Sequence, residues 1–226
     1  ARMIYMSEFL NDNSFIKYNN WNNTNLTTWI VNTNEEWINK LNLFRETYFP
    51  VLEVESKTSN LINGVAASYY GVSNVGNALH RSKYENGGDF PDFLLSLTLK
   101  AFRKTFGNQK FDLILYVPPT NSGDLVKNFA VKFSNVLNIP ISHGLVKIKE
   151  TAEQKVFQNG YSKKDNVEDA FDYVGTENIC GKNLILIDDI FDSGATIKEL
   201  GKMLTKKGAR VIAPVTIAKT VGGELV

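Results

Sequence analysis

Two adjacent carboxylates, Asp188 and Asp189, stand at the end of an apolar run in the stretch "LILIDDIFDSGATI". Carboxylates accept hydrogen bonds without donating, so a neighbouring pair suits the vicinal hydroxyls of a ribose. Such a pair also favours positive charge that develops on the sugar. The loop that follows leads into a helical pattern and consists of Asp192, Ser193, Gly194, Ala195 and Thr196.

This loop has the composition of an anion cradle. The first N–H groups of a helix have no intrahelical acceptors, and the helix dipole adds partial positive charge there. Gly194 lets the main chain approach a phosphate closely, and the hydroxyls of Ser193 and Thr196 can donate to its oxygens. Phosphate beside ribose indicates a phosphoribosyl group. The alternative is an N-capped helix with Asp as ordinary cap and turn residues.

The elements that must position this turn alternate along the chain. Helical patterns in "FPDFLLSLTLKAFRKTF", "SGDLVKNFAVKFSNVL" and "GATIKELGKMLTKKG" separate the predicted strands "FDLILYVP", "IPISHGLV", "KNLILID" and "ARVIAPVTIA". The pattern predicts an α/β fold, an open and mostly parallel sheet with helices on both faces, plus a small N-terminal helical appendage. Ligands of such sheets bind beyond the carboxyl ends of the strands, where the turn lies.

The stretch from Asp188 to Thr196 resembles the 5-phosphoribosyl-1-pyrophosphate (PRPP) motif of type I phosphoribosyltransferases at every position that carries chemistry. The resemblance implies the fold of that family, with Asp188 and Asp189 as the catalytic pair on the ribose hydroxyls. It implies that residues 192–196 cradle the 5′-phosphate. Magnesium would be carried by the pyrophosphate and the sugar hydroxyls, without a direct protein ligand. The acceptor is not identified.

Two further segments resemble parts of that family. The pyrophosphate loop after the first core strand corresponds to Thr120, Asn121, Ser122 and Gly123. The polar segment after Lys147 resembles the mobile loop of the ComF-like branch, through Thr151, Gln154, Lys164, Asn166, Val167, Ala170 and Phe171. Candidates to meet the pyrophosphate are Lys147, Lys149 and Lys155. Lys164 stands where the ComF-like sequences usually have Arg, and a lysine cannot make the bidentate contact of an arginine. The alternative to a mobile loop over the site is a solvated polar loop without such a function.

The N-terminal zone resembles the zinc module of RecQ-type DNA helicases, but its thiolate positions hold Ala1, Tyr18, Trp21 and Thr24, so we expect no zinc. The segment "VGNALHRSKYENGGDF" fits the phosphoribosyltransferase-like tail of some of these helicases at Ala78, Leu79 and Asp89, and departs from it at Asn74 and Asn77. The resemblance implies a helicase core in the same polypeptide. No P-loop occurs in these 226 residues, so DNA would be engaged only through that core.

Three domains are expected: a degenerate zinc-module remnant at 1–26, a helical connector at 27–62, and the phosphoribosyltransferase-like domain at 63–226. The connector contains the helical pattern "NEEWINKLNLFRETYF".

Composition limits the classes of function. The net charge of +1 argues against a freestanding domain that grips nucleic acid through its phosphates. The single Cys180 suits a reducing cytoplasm. The apolar runs are too short to span a bilayer, and the first residues meet acids too early for a signal peptide.

Three functions remain open: transfer of a phosphoribosyl group from PRPP to an acceptor, non-catalytic sensing of PRPP or a nucleotide by a helicase, and a purely structural or protein-binding module. A homodimer is also open. Four residues that invite functional assignments are interpreted as packing residues, namely His80, His143, Trp29 and Trp37.

Overall fold

The structure is a computed structural model that describes residues 16–21, 26–30, 35–36, 38–39, 43, 48–70, 74–119, 123–149 and 169–220. The chain divides into two compact units. One comprises Ala1–Tyr48 with Gly223–Val226, and the other comprises Phe49–Gly222.

The first unit contains an antiparallel hairpin of β1 (Ile16–Trp21) and β2 (Leu26–Ile30). The expected domain boundary after residue 26 falls within this hairpin. The physical reason is that both segments are rich in aromatic and β-branched residues, which favour strands. The described residues between 35 and 43 are helical, in the predicted connector helix.

The second unit is built on a five-stranded sheet. Its strands are β3 (Val51–Leu52), β4 (Gly64–Tyr70), β5 (Leu113–Tyr116), β8 (Asn183–Phe191) and β9 (Val211–Thr220). They are arranged in the order β3-β4-β9-β8-β5. The last four are parallel to one another, and only the short β3 is antiparallel to its neighbour β4. Because β3 precedes residue 63, this unit begins earlier than the predicted third domain.

Helices cover both faces of this sheet, so the expected α/β architecture is confirmed. They are α1 (Asn74–Tyr84), α2 (Asp92–Phe106), α3 (Leu125–Leu137) and α4 (Ala195–Lys206). Side chains alternate along the central strands. Ile185 and Ile187 pack with α1, α2 and α3 on one face, whereas Leu184 and Leu186 pack with α4 on the other.

A separate antiparallel ribbon is formed by β6 (Leu145–Lys147) and β7 (Phe171–Tyr173). The prediction of one strand over "IPISHGLV" is therefore wrong in part. Residues 140–142 run beside β5 through a single bridge at Ile141, and the chain then leaves the sheet to form β6. The ribbon packs on the same face as α4, through Leu145, Phe171 and Tyr173.

Within the described part of the chain, no helix is long and apolar enough to cross a membrane.

Candidate functional site

The acidic pair lies inside the last residues of β8, which extends beyond the predicted strand "KNLILID" that ended at Asp188. β8 continues to Phe191, and Asp188 pairs with Thr216 of β9. The strand extends because β9 is long enough to pair with it as far as Lys219. Both acids are therefore held by sheet geometry at the carboxyl edge, where parallel sheets bind ligands.

The side chains of β8 alternate between the two faces of the sheet as far as Ile187, but Ile190 packs with the cluster of Ile187 and Phe191 with the cluster of Leu186. At this irregular end of the strand, Asp189 contacts Lys83 of α1, and the charge of Asp188 acts on Lys147 of the β6–β7 ribbon. The surroundings of the two acids therefore differ.

Asp189 is buried and ion-paired. Lys83, near the carboxyl end of α1, places its Nζ 2.7 Å from Asp189 Oδ2, and only 19% and 8% of the two side chains are exposed. Burial alone would lower the pKa of Lys83, but the charge and hydrogen bond of Asp189 outweigh it and raise this pKa above its ordinary value. Asp189 Oδ1 accepts a 2.7 Å hydrogen bond from the N–H of Ile190.

Asp188 is only partly buried by its neighbours, and its Oδ1 accepts from the N–H of Asp189 at 2.8 Å. Burial of the carboxyl group, with the adjacent charge of Asp189, raises the pKa of Asp188 to about 8. Lys147 at the end of β6 experiences the negative charge of Asp188, although burial leaves the pKa of this lysine below its ordinary value. Lys83 of α1 is thus in contact with the acidic pair, and Lys147 of β6 lies within the electrostatic influence of Asp188.

The turn after β8 contains the predicted phosphate loop. Gly194 has φ of 75°, a left-handed conformation, and a Cβ there would lie 2.7 Å from Cζ of buried Phe191. α4 begins directly after Gly194 with no side-chain cap. Ser193 is exposed, and its Oγ lies 3.4 Å from the N–H of Ala195. This start of a helix has the polarity that binds an anion.

Asp192 Oδ1 accepts a 2.8 Å hydrogen bond from Thr220 Oγ1. This bond joins the loop after β8 to the end of β9. Thr196 lies in the first turn of α4, where the sequence placed it.

Several predicted site residues lie outside the described residues: Thr120, Asn121 and Ser122 of the pyrophosphate loop, and Thr151, Gln154, Lys155 and Lys164 of the mobile loop. The zinc-module positions Ala1 and Thr24 also lie outside them, as do the side chains of Tyr18, Trp21, Trp29 and Trp37. Gly123 has φ of 58° just before α3, and Lys149 is exposed.

Sequence reasoning missed Lys83. Its segment "VGNALHRSKYENGGDF" was noted for other positions, and no local pattern in that segment marks this lysine. Its partner lies far away along the chain, so only the packing of α1 on the sheet brings the two charges together.

A second polar cluster lies at the end of β5. Tyr116 Oη and His143 Nδ1 are 2.9 Å apart, and buried Ser142 donates from Oγ to Glu177 Oε2 at 2.6 Å. Tyr173 of the ribbon donates from Oη to the carbonyl oxygen of Glu177 at 3.0 Å. These bonds connect the segment after β5 to the ribbon. His143 is hydrogen-bonded but exposed, so it is not a buried packing residue.

Cys180 is an exposed free thiol, and the described residues contain no group of His, Cys, Asp and Glu side chains arranged to hold a metal ion. A substrate-borne magnesium ion is compatible with this finding, because such an ion needs no cluster of protein ligands.

Comparison with known families gives a match in the carboxyl-terminal part of the chain. The family model described as "Phosphoribosyl transferase domain" matches residues 126–225, which run from α3 through β9. The matched segment includes the acidic pair and the turn after β8. No curated protein matches the chain.

Among solved structures, the chain is similar to a glutamine PRPP amidotransferase from B. subtilis, with 21% identity over 47% of this chain and 22% of that chain, at a TM-score of 0.34. It is similar to an allosteric regulatory enzyme of purine biosynthesis, with 17% identity over 62% and 30% of the two chains, at a TM-score of 0.42. A purine phosphoribosyltransferase from Pyrococcus horikoshii shares 18% identity over 57% and 71%, at a TM-score of 0.37. The chain thus spans less than a third of the first two of these proteins.

Proposed function

We propose that Phe49–Gly222 binds PRPP and transfers its phosphoribosyl group to an acceptor nucleophile with release of pyrophosphate. One observation carries the proposal. The carboxylates of Asp188 and Asp189 lie at the carboxyl edge of a parallel sheet and are followed at once by a left-handed Gly194 and a helix start without a side-chain cap. A ribose and its 5′-phosphate need these two features side by side.

The reaction forms a bond between C1 of the ribose and the acceptor and breaks the bond between C1 and the pyrophosphate oxygen. The electron pair of the broken bond leaves with the pyrophosphate, and the proton of the acceptor passes to water. Positive charge develops on the sugar as the leaving group departs, and negative charge held near the acidic pair stabilises it. The protein acts by positioning and electrostatics, so no covalent nucleophile is required.

The roles of the turn follow from its geometry. In the proposal, the 5′-phosphate binds to the first turn of α4 and to the exposed Ser193 hydroxyl. Gly194 permits the backbone to approach this phosphate closely. Asp192 supports this loop through Thr220. Lys147 joins the site from the ribbon, because it experiences the charge of Asp188, and in the proposal it meets the pyrophosphate.

Magnesium enters the proposal as part of the substrate. The partly exposed Asp188 can face a cation carried by the pyrophosphate and the ribose hydroxyls, whereas both oxygens of Asp189 are already engaged. When bound, the ion would neutralise part of the charge of the pyrophosphate.

The pyrophosphate loop Thr120–Gly123 and the mobile-loop residues Lys149, Thr151, Gln154 and Lys164 keep the roles that the sequence resemblance implies. In the proposal, residues 148–168 cover the site during transfer and shield the developing charge from water. The ends of this segment are anchored at β6 and β7.

The wider proposal is that this domain belongs to the ComF-like branch and forms the carboxyl-terminal part of a cytoplasmic RecQ-type helicase that contacts DNA through its core. Its support is the sequence pattern alone, in the N-terminal zone and in "VGNALHRSKYENGGDF". The test is the gene upstream of Ala1. An upstream open reading frame that encodes a helicase core with a P-loop supports the helicase proposal. An upstream open reading frame without such a core contradicts the helicase proposal.

Binding and turnover are tested in sequence. Calorimetric titration of the full chain with magnesium and PRPP measures binding, and pyrophosphate release across purine, pyrimidine and nicotinate-like acceptors measures transfer. Release with one acceptor class, lost in Asp188→Asn, supports the enzyme. Binding without release for any acceptor identifies a PRPP-sensing domain. Absence of binding contradicts both and leaves a structural module.

A further inference from the structure

The ion pair between Lys83 and Asp189 is unlike the surface ion pairs of this unit. Lys132 and Asp92 are 3.7 Å apart, with 51% and 90% of their side chains exposed, whereas Lys83 and Asp189 are 2.7 Å apart and largely buried. Exposed pairs contribute little, but loss of one partner from a buried pair leaves an uncompensated charge. The contact therefore couples α1 to the end of β8 firmly.

This pairing divides the two acids into different roles. Asp189 Oδ2 faces Lys83 and Oδ1 accepts from Ile190, so this carboxylate is directed into the protein. Asp188 Oδ1 accepts from the N–H of Asp189, and Asp188 is less buried than Asp189. Of the two acids, Asp188 is the more accessible to a ligand.

Lys83 also acts on the charge of the whole pair. The charges that face the acids are Lys83 from α1 and Lys147 from β6, with the Tyr84 phenol beside Lys83. Adjacent carboxylates repel each other, and the Lys83 ammonium reduces this repulsion because it attracts both Asp189 and Asp188.

We propose that Lys83 is a positioning residue of the phosphoribosyl site: it holds Asp189 in place and thereby presents Asp188 to the ribose. The inference rests on the proposed function, since the affinity it controls is that for PRPP. Lys83 lies before the segment matched by the family model, which begins at residue 126. A helix outside that segment thus completes the site.

A double-mutant cycle on the full chain tests this role, with the dissociation constant of magnesium-PRPP measured by calorimetry and folding checked by thermal unfolding. Lys83→Met is expected to weaken binding at least about tenfold, within the range of coupled pairs. Asp189→Asn should weaken it similarly, and the double variant should be no worse than either single variant. Lys83→Met and Asp188→Asn should instead combine to a larger loss.

Two further variants separate positioning from general loss of structure. Lys83→Arg preserves the charge and should retain affinity within about threefold, because the ion pair can re-form. Lys132→Met removes an exposed pair with Asp92 elsewhere in the same unit and should leave affinity unchanged. If Lys83→Met fails to fold, Lys83→Gln supplies the uncharged variant and should show the same tenfold loss.

The inference is overturned if folded Lys83→Met or Lys83→Gln binds PRPP as tightly as the unsubstituted chain. It is also overturned if the losses in Lys83→Met and Asp189→Asn multiply in the double variant. If the unsubstituted chain fails to bind PRPP, both the proposed function and this inference are wrong. This outcome is distinguishable from failure of the inference alone, because it is seen without any variant.

Discussion

The carboxyl ends of β8 and β5 lie side by side at one edge of the sheet, yet they hold polar side chains in different ways. At β8, Asp189 forms a buried ion pair with Lys83, and Lys147 lies within the electrostatic influence of Asp188. At β5, hydroxyl groups of Tyr116 and Ser142 form hydrogen bonds to their neighbours. Charge is concentrated at the end of β8, where the proposal requires a ligand.

The difference teaches that position at the carboxyl edge is not enough to identify a functional residue. Buried charges are costly unless a partner or a ligand compensates them, whereas hydrogen-bonded hydroxyls are compatible with simple packing. We therefore assign the end of β8 to ligand binding and the end of β5 to anchoring the β6–β7 ribbon.

The largest expected effect comes from Asp188→Asn. The variant keeps the shape of the side chain but cannot ionise to the carboxylate that accepts from the ribose hydroxyls when PRPP binds, so affinity for magnesium-PRPP should fall by about 10- to 100-fold. Calorimetric titration with magnesium-PRPP measures this change in affinity. Binding at the original affinity would show that the β8 end is not the ribose site.

The second effect concerns Gly194→Ala. The added methyl group would lie against buried Phe191, and the left-handed backbone disfavours it, so the variant should lose about 1–2 kcal/mol of stability. PRPP affinity should fall as well, because the loop must shift. Denaturant unfolding and calorimetry give the two values, and Gly181→Ala, a left-handed glycine with open space around it, is the matched control for backbone strain alone.

The third prediction uses pH. Burial raises the pKa of Asp188 from 3.8 to about 8, so the folded state retains a proton that the unfolded state releases. Stability should therefore fall as pH rises through this interval. Asp188→Asn removes the penalty, so its melting temperature should exceed that of the unsubstituted chain at pH 8, by about 2–4 °C for each kcal/mol relieved. The difference should shrink at pH 5, and an equal difference at both values would contradict the assignment.

The smallest effect is expected at the other strand end. Ser142→Ala removes the hydroxyl that donates to Glu177 and should cost about 1 kcal/mol of stability. PRPP affinity should stay unchanged, because this group anchors the ribbon. A tenfold loss of affinity without loss of stability would mean that the β5 end also binds the ligand.

Much of the fold was predictable because the apolar strands and the helices between them have clear periodicities. The turn after β8 was predictable for the same reason, since its acids, glycine and helix start are contiguous. The hairpin of β1 and β2 was not, because polar Asn residues interrupt its alternation. The continuation of β8 to Phe191 depends on pairing with β9, which a local pattern does not contain.

The different surroundings of Asp188 and Asp189 could not be predicted from the sequence. The difference depends on the packing of α1 on the sheet, which brings Lys83 to Asp189. This is a contact between elements distant in the chain. The departures from the helicase-tail pattern at Asn74 and Asn77 lie in the same helix as Lys83.

Thermal unfolding with and without magnesium-PRPP tests the central claim most directly. A ligand at one hundred times its dissociation constant adds about 2.7 kcal/mol to the stability of the state that binds it. We predict a clear rise in melting temperature for the unsubstituted chain and little or none for Asp188→Asn. An unchanged melting temperature for the unsubstituted chain at saturating PRPP would contradict the assignment of the β8 end as a phosphoribosyl site.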